Sequence, residues 1–291
     1  MFTRYSVLTL GFLMLVNSIF LPPSSQSLSV TLNRPLQKRE TRQPTAAIVG
    51  GKAGKGREEF CDKSQAQRIV KDLEWMHELA GSAIKFLQQP DSHMTAAYIA
   101  WFGEANAYKR KAADIRDEIY KSIWNIGKRD VSYAESVRHG TYKAVVFGCF
   151  PQDPESCKDK TLAVAVDGRH SYVMLCPGYF ELSKDYEGAF ASWREERKDI
   201  DVGGQILLHE MLHQRIVVGW DGYANDFCYS PEGCMQLHDS EKIKNAENYA
   251  LFALEVKANP ARAKLQVDMT SSEGKGEIAR KLLKPSGQNT Y

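Results

Sequence analysis

Apolar residues recur at helical spacing in the first half of the chain. Between Ser64 and Leu87 they fall at steps of three and four residues, the period of an amphipathic helix. Ser64 is of a type that caps helix N-termini. The same period continues from Tyr98 to Ile123 and stops before Gly127, a residue type that ends helices. The pattern predicts two long helices, the first capped by Ser64.

The pattern then changes to short β-rich runs. These cover Thr141 to Phe150, Thr161 to Val166 and Ser171 to Leu175, bounded by Gly, Pro or Asp. Asp167 and Gly168 between the last two runs predict a tight hairpin. Helices before and after a small sheet, without regular alternation, indicate the α+β class. We therefore predict a mainly helical domain with a small antiparallel sheet.

The first residues have the character of a secretory signal. Arg4 precedes an apolar stretch over residues 5–21, and a Ser-rich exit follows, which is the order of a signal peptide. We predict a signal peptide over residues 1–27. The alternative is a membrane anchor, but the stretch is short for a bilayer span and includes Asn17.

The next residues are polar and show neither a helical nor a strand period. We predict a linker or pro-segment over residues 28–57. Lys38 and Arg39 form a dibasic pair within it, a candidate processing site. We expect one folded domain over residues 58–265 and a polar C-terminal tail over residues 266–291.

The net charge limits the possible binding partners, and the cysteines indicate the redox conditions in which the chain folds. The 291 residues carry a formal net charge of +2, with scattered basic residues, so we expect no nucleic-acid partner. No segment after the signal is apolar enough to cross a bilayer, so we expect no membrane association after cleavage. Six cysteines in an exported chain indicate three disulfides.

One stretch combines the residues of a zinc site. His209 and His213 are four residues apart, so on a helix both imidazoles project from one face and can bind one zinc ion. Glu210 follows the first histidine and can take a proton from the zinc-activated water as that water attacks a carbonyl. The spacing predicts an H-E-x-x-H helix at the centre of a hydrolase site.

A catalytic zinc site needs a third protein ligand. The nearby carboxylates are Asp221 and Asp226, each closely followed by a tyrosine, Tyr223 and Tyr229. An aspartate can bind zinc, and a phenol beside it can donate a hydrogen bond to a developing oxyanion. Both aspartates are candidates, and the spacing to Tyr229 favours Asp226.

These residues resemble the deuterolysin and peptidyl-Lys metalloendopeptidases, the aspzincins. That family combines an H-E-x-x-H helix with a downstream Asp-x-x-Tyr turn, which Asp226 and Tyr229 match. The resemblance implies a zincin-like metallopeptidase fold and one zinc ion per chain. It implies that His209, His213 and Asp226 bind the zinc, that Glu210 is the general base and that Tyr229 is the oxyanion donor.

The resemblance covers about residues 61–259 and extends to substrate recognition. In the lysine-specific branch, acidic residues on a downstream helix recognise the substrate lysine. The matching positions are Glu247, which is acidic, and Ala250, which is not. Glu247 is therefore a candidate substrate-binding residue. The alternatives are that it supports a metal ligand or is a solvated helix residue.

The resemblance also implies two cysteine pairings, Cys61 with Cys149 and Cys157 with Cys176. Cys228 and Cys234 remain. A bond between them would close a small loop after the third ligand and restrain it.

These features together predict a secreted, monomeric zinc metalloendopeptidase whose substrates are proteins or peptides. One alternative is a secreted interaction or effector protein with weak catalysis on the same scaffold, because fold alone does not establish turnover. Another is a zinc hydrolase acting on a non-peptide bond. An open groove beside the zinc would favour a peptide, whereas a closed pocket would favour the non-peptide substrate.

Overall fold

The computed structural model describes residues 44–50, 60–127, 131–134, 144–150, 155–158, 160–168, 171–197 and 200–285. The predicted signal peptide, the dibasic pair and most of the predicted linker lie outside these ranges. Within them, no helix combines the length and apolar character that a membrane span requires.

The first predicted helix is confirmed as α1 (Lys63–Leu87). Asp62 caps it in place of the predicted Ser64. The Asp62 carboxylate accepts the N–H of Gln65 at 2.8 Å, and the Gln65 side chain accepts the N–H of Asp62 at 2.8 Å. This reciprocal pair satisfies two N–H groups that a helix start leaves open.

The second predicted helix is interrupted. It begins as α2 (Ala96–Phe102) and ends at Gly103, whose φ of 88° is left-handed. A Cβ at Gly103 would lie 2.2 Å from Asp239, so the break and the close approach both favour glycine. A second helical stretch follows, made of α3 (Lys109–Asp114), a π-helical segment (Ile115–Tyr120) and α4 (Lys121–Trp124).

The remaining helices lie after the sheet strands. They are α5 (Pro177–Glu181), α6 (Tyr186–Glu196), α7 (Gly203–Met211), α8 (Arg215–Gly222, kinked at Gly219), α9 (Pro231–Gln236), α10 (Asp239–Lys242), α11 (Ala246–Ala258), α12 (Pro260–Ala263) and α13 (Lys275–Leu283).

The described strands form one five-stranded sheet in the order β2-β1-β3-β5-β4. Its pairs β1–β2, β1–β3 and β3–β5 are parallel, and only β4–β5 is antiparallel. The strands are β1 (Thr45–Val49), β2 (Val131–Ala134), β3 (Ala144–Cys149), β4 (Ala163–Val166) and β5 (Ser171–Leu175). The predicted antiparallel pairing of β4 with β5 is confirmed, but four residues, 167–170, separate the two strands instead of the predicted tight Asp167-Gly168 turn. The predicted antiparallel sheet is wrong, because its other strand pairs are parallel. Helices connect β1 to β2, and such crossovers produce parallel pairing.

Strand β1 lies within the stretch predicted to be a linker, and it is an interior strand of the sheet. Ala46 and Ile48 pack into the main core, whereas Ala47 and Val49 pack on the other face. Both faces are therefore covered, as is usual for parallel strands. The flanking polar residues concealed this short apolar run in the sequence.

The predicted polar tail also contains folded structure. Helix α13 packs against α2, with Ala279 and Leu283 fully buried. The folded region thus continues past residue 265, because the apolar stripe of α13 completes the core.

Helix α7 is pressed closely against α1. A Cβ at Gly204 would lie 2.7 Å from the Trp75 Cβ and 2.9 Å from the Met76 nitrogen, distances shorter than van der Waals contact. The two helix backbones can approach this closely because Gly204 has no side chain. The same end of α7 is held by Tyr186, whose hydroxyl accepts the N–H of Gly204 at 2.7 Å.

Candidate metal centre

Both histidines of the motif come from the end of α7, although only one is within the helix. His209 lies inside α7, and the helix ends at Met211. The last turn tightens, because the N–H of His213 donates to the Glu210 carbonyl three residues back at 3.2 Å. The two Nε2 atoms nevertheless meet at 3.2 Å. The predicted common face is confirmed, although His213 lies two residues past the end of the helix.

Asp226 closes a triangle with the two histidines. Its Oδ1 lies 3.1 Å from the His209 Nε2 and 3.2 Å from the His213 Nε2. Nitrogen and oxygen ligands about 2.0–2.2 Å from a tetrahedral zinc lie about 3.3–3.5 Å from one another. The three donor atoms, 3.1 to 3.2 Å apart, are therefore slightly closer together than the corners of one face of such a tetrahedron. Among the residues that the structure describes, these three form the group of histidine, cysteine or acidic side chains whose ligand atoms lie close enough together to hold one metal ion.

The structure separates the two candidate aspartates. Asp226 lies in the loop after α8, whereas Asp221 lies near the exposed end of α8 and is not part of the triangle. The main chain brings Asp226 to the histidines, because the N–H of Ala224 donates to the Leu212 carbonyl at 3.0 Å. The ring of His213 is also held there, with its Nδ1 3.0 Å from the Ala224 carbonyl.

The charges of the triangle are strongly coupled. Burial by itself would raise the pKa of Asp226, but hydrogen bonds from His209 and His213 hold it well below its usual value. Burial would lower the pKa of His209, yet Asp226 and Glu247 together raise it. Asp226 is therefore ionised at neutral pH, which is the state that binds a cation.

Glu210 faces the edge strand of the sheet. Its side chain is buried, and this burial raises the pKa of its carboxyl group. The backbone amide of Ala165 on β4 and the two histidines oppose that shift. Glu210 thus lies between the triangle and β4, where a raised pKa suits a group that takes up and returns a proton.

Glu247, the candidate substrate-binding residue, lies behind His209. Its Oε2 is 2.7 Å from the His209 Nδ1, and its Oε1 accepts the Gln205 amide at 2.9 Å. Both oxygens are engaged within the protein, and the side chain is only 8% exposed. Both contacts support the alternative interpretation, in which Glu247 orients a candidate metal ligand. Glu247 also lines the same cleft as the triangle, and its substrate-binding role stays a prediction.

Tyr229 reaches the triangle from the loop after Asp226. Its ring stacks on that of His209 with centroids 5.9 Å apart and planes 21° apart. Burial and the neighbouring Asp226 carboxylate raise the pKa of its phenol, so the hydroxyl keeps its proton at neutral pH. The residue as a whole remains 64% exposed, so the side chain can contact a bound molecule.

A cleft of about 610 Å³ contains all five predicted metal and catalytic residues. Strand β4 forms one wall, and Tyr223 also lines the cleft, with its ring 6.3 Å from that of His213. Arg215 lies 4.4 Å from the Tyr223 ring and pairs with Asp167 at 2.9 Å.

Sequence reasoning missed three residues that position this site. Tyr223 was named only as a neighbour of Asp221. Gln205 lies one helical turn before His209, a spacing that could have indicated a shared face. Asn245, fully buried, contacts the loop after Asp226, and no local pattern indicates this contact.

Two of the three predicted disulfides are present, Cys61–Cys149 and Cys157–Cys176. Cys228 and Cys234 are free thiols in this structure. The Cys234 thiol is directed at the Cys228 carbonyl, 3.1 Å away, so the predicted third bond is not formed.

Comparison with known proteins gives a family match over the region that contains this site. A family model of the aspzincins, described as lysine-specific metallo-endopeptidase, matches residues 87–254. Among solved structures, a zinc peptidase from Grifola frondosa is similar with a TM-score of 0.46 and 16% identity, covering 69% of this chain and 99% of that chain. A comparison with curated proteins found no match. Since the family model spans more than half of the 291 residues, including α7 and the Asp226 loop, the chain belongs to the aspzincin family of zinc metalloendopeptidases.

Proposed function

We propose that this chain is a secreted zinc endopeptidase with one zinc ion held by His209, His213 and Asp226. The observation that carries the proposal is the nearly equal-sided triangle of their donor atoms, with edges of 3.1 to 3.2 Å. Two imidazoles and a carboxylate are a donor set that suits zinc. When bound there, zinc lowers the pKa of water and polarises a carbonyl oxygen.

Glu210 is the proposed general base. It takes the proton that water loses on attacking the substrate carbonyl and passes it to the departing amine. Its burial beside β4 supports this role, because the raised pKa lets the carboxylate accept a proton and release it again.

Tyr229 is the proposed donor to the oxyanion. Its phenol is protonated at neutral pH, as an ordinary phenol is, and burial and Asp226 raise its pKa further. A protonated hydroxyl beside the metal ligands can donate to the negative charge that develops on the carbonyl oxygen.

The edge strand supports a peptide substrate. The Leu162 carbonyl accepts the N–H of Cys176 at 2.9 Å, so this residue points toward β5. In an antiparallel pair the residues alternate in direction, so the backbones of Ala163 and Ala165 face the cleft. An extended peptide can pair with Ala163 and with the Ala165 carbonyl as an added strand, while the Ala165 amide contacts Glu210. This pairing brings the peptide's carbonyl groups past Glu210.

Two disulfide bonds support secretion. The Cys61–Cys149 and Cys157–Cys176 disulfides are typical of proteins that fold in oxidising compartments. They agree with the signal peptide predicted over residues 1–27.

We further propose that cleavage is not restricted to lysine. Glu247 is engaged with His209 and Gln205. Ala250, the second position linked to lysine recognition by the family resemblance, is apolar and fully buried. Ala250 offers no carboxylate to a lysine ammonium group, and the Glu247 carboxylate, which lines the cleft, already has a protein partner at each oxygen.

The test compares zinc content and casein cleavage by the wild type and Glu210→Gln. Glu74→Gln is the matched control, because Glu74 is a 62% exposed side chain on α1. We expect stoichiometric zinc in all three proteins and cleavage in only the wild type and the control. Zinc without cleavage in any of them would favour the interaction-protein alternative. Absence of zinc from the wild type would contradict the metal site.

A further inference from the structure

The start of α11 lies against the loop that carries Asp226. The Asn225 N–H donates to the Lys244 carbonyl at 2.7 Å, and the Ala246 N–H donates to the Asn225 carbonyl at 2.9 Å. These two bonds hold the main chain just before Asp226. They place Asn245, the residue between Lys244 and Ala246, directly beside the loop.

The Asn245 side chain holds the main chain just after Asp226. Its Oδ1 accepts the N–H of Phe227 at 2.8 Å and the N–H of Cys228 at 3.3 Å. Its Nδ2 donates to the Cys228 carbonyl at 3.0 Å. Asn245 is the N-cap residue of α11, but its side chain makes no cap bond. It is therefore used for the loop and not for the helix.

Asn245 is itself held rigidly. It is fully buried, and its Nδ2 also donates to the Asn248 Oδ1 at 2.7 Å. Asn248 in turn donates to the carbonyls of Trp101 at 2.7 Å and Cys234 at 3.1 Å. The clamp on the loop is thus connected to α2 and α9 and does not move independently of the core.

We propose that Asn245 is the positioning residue for Asp226 and Tyr229, and this proposal rests on the zinc-peptidase function proposed above. The first turn of α11 then orients two zinc ligands, Asp226 through Asn245 and His209 through Glu247. Because both supports belong to one rigid element, the ligand triangle is pre-formed and loses little conformational freedom on binding zinc.

The decisive measurement is zinc affinity, obtained by competition with a chelator. Asn245→Ala removes the bonds to Phe227 and Cys228, and we expect the zinc Kd to rise about 10- to 100-fold, the usual effect of losing a residue that supports a metal ligand. We also expect kcat to fall with a smaller change in KM, because Tyr229 moves with the loop. Asn245→Asp keeps the two acceptor bonds and should lie between wild type and Asn245→Ala.

A matched control separates positioning from general stability. Asn106 is also a buried asparagine that joins two segments, donating to the carbonyls of Phe102 at 2.7 Å and Asp239 at 2.9 Å. Thermal unfolding of the metal-free proteins reports the stability lost in each variant. We expect Asn106→Ala to lower the melting temperature while its zinc Kd stays near that of the wild type.

The proposal is overturned if folded Asn245→Ala binds zinc as tightly as wild type, or if Asn106→Ala weakens zinc binding equally. Zinc affinity does not depend on turnover. The comparison therefore decides the role of Asn245 even if wild type proves inactive toward casein, a result that would overturn the peptidase proposal alone.

Discussion

The Nδ1 atom of His209 lies 2.7 Å from the Oε2 of Glu247. This contact determines which nitrogen of the ring is left to face Asp226, because a histidine that donates from Nδ1 presents Nε2 as the ligand atom. Helix α11, which carries Glu247, therefore orients His209, a candidate ligand on α7.

The first prediction concerns this contact. Glu247→Gln keeps the shape of the side chain but removes its charge, so we expect zinc affinity to fall about 10-fold, measured by chelator competition. If Glu247 instead binds substrate lysine, the variant will keep wild-type zinc affinity and lose kcat/KM only for peptides with lysine at the cleavage site.

The second prediction distinguishes the two candidate aspartates. Asp226→Asn removes the negative charge from the triangle, so we expect the purified protein to lose most of its zinc and its peptidase activity. Asp221→Asn is the control and should keep both. The zinc content of the two proteins after dialysis shows which aspartate binds the metal. Loss of zinc from Asp221→Asn and not from Asp226→Asn would assign the third ligand to Asp221.

The third prediction tests the phenol of Tyr229. Tyr229→Phe keeps the ring that stacks on His209 but removes the hydroxyl, so kcat should fall about 100-fold, the effect of losing one oxyanion donor. KM and zinc content should change little. Tyr223→Phe provides the comparison, since its ring also lines the cleft. Equal losses of kcat in both variants would contradict a special role for Tyr229.

A fourth prediction concerns the contact between α1 and α7. Gly204→Ala places a methyl group 2.7 Å from the Trp75 Cβ, and the strain should lower the free energy of unfolding by about 1–3 kcal/mol. Thermal and urea unfolding measure this loss. Gly274→Ala is the control, because its added Cβ would have no neighbour within 4 Å, and it should unfold like the wild type.

The final prediction concerns removal of the metal. Dialysis against a chelator should abolish casein cleavage and lower the melting temperature, because zinc binds the folded state and stabilises it by mass action. Added zinc should restore both properties. Recovery of the melting temperature without recovery of cleavage would show that the zinc serves structure and not catalysis.

Local spacing indicated the candidate residues at the centre of the site. His209 and His213 are four residues apart, and Asp226 and Tyr229 are three residues apart. Helix and turn geometry converts such spacings into directions for the side chains without help from the rest of the fold. Helix α1 could also be predicted locally, because its apolar period lies within one stretch of the chain. The β4–β5 pair could be predicted because its two strands are separated by a few turn residues.

The tertiary structure decided what depends on distant parts of the chain. Strand β1 pairs in parallel with β2 and β3, and long crossovers of this kind leave no local signal. Glu247 supports His209, 38 residues away, and Asn245 holds the loop of Asp226. The sequence by itself determined which side chains are candidate metal ligands, because the spacing of His209 and His213 is a local property, whereas the approach of Asp226 to them depends on the fold. Only packing determined which residues hold those ligands in place, because such contacts form where separate elements meet.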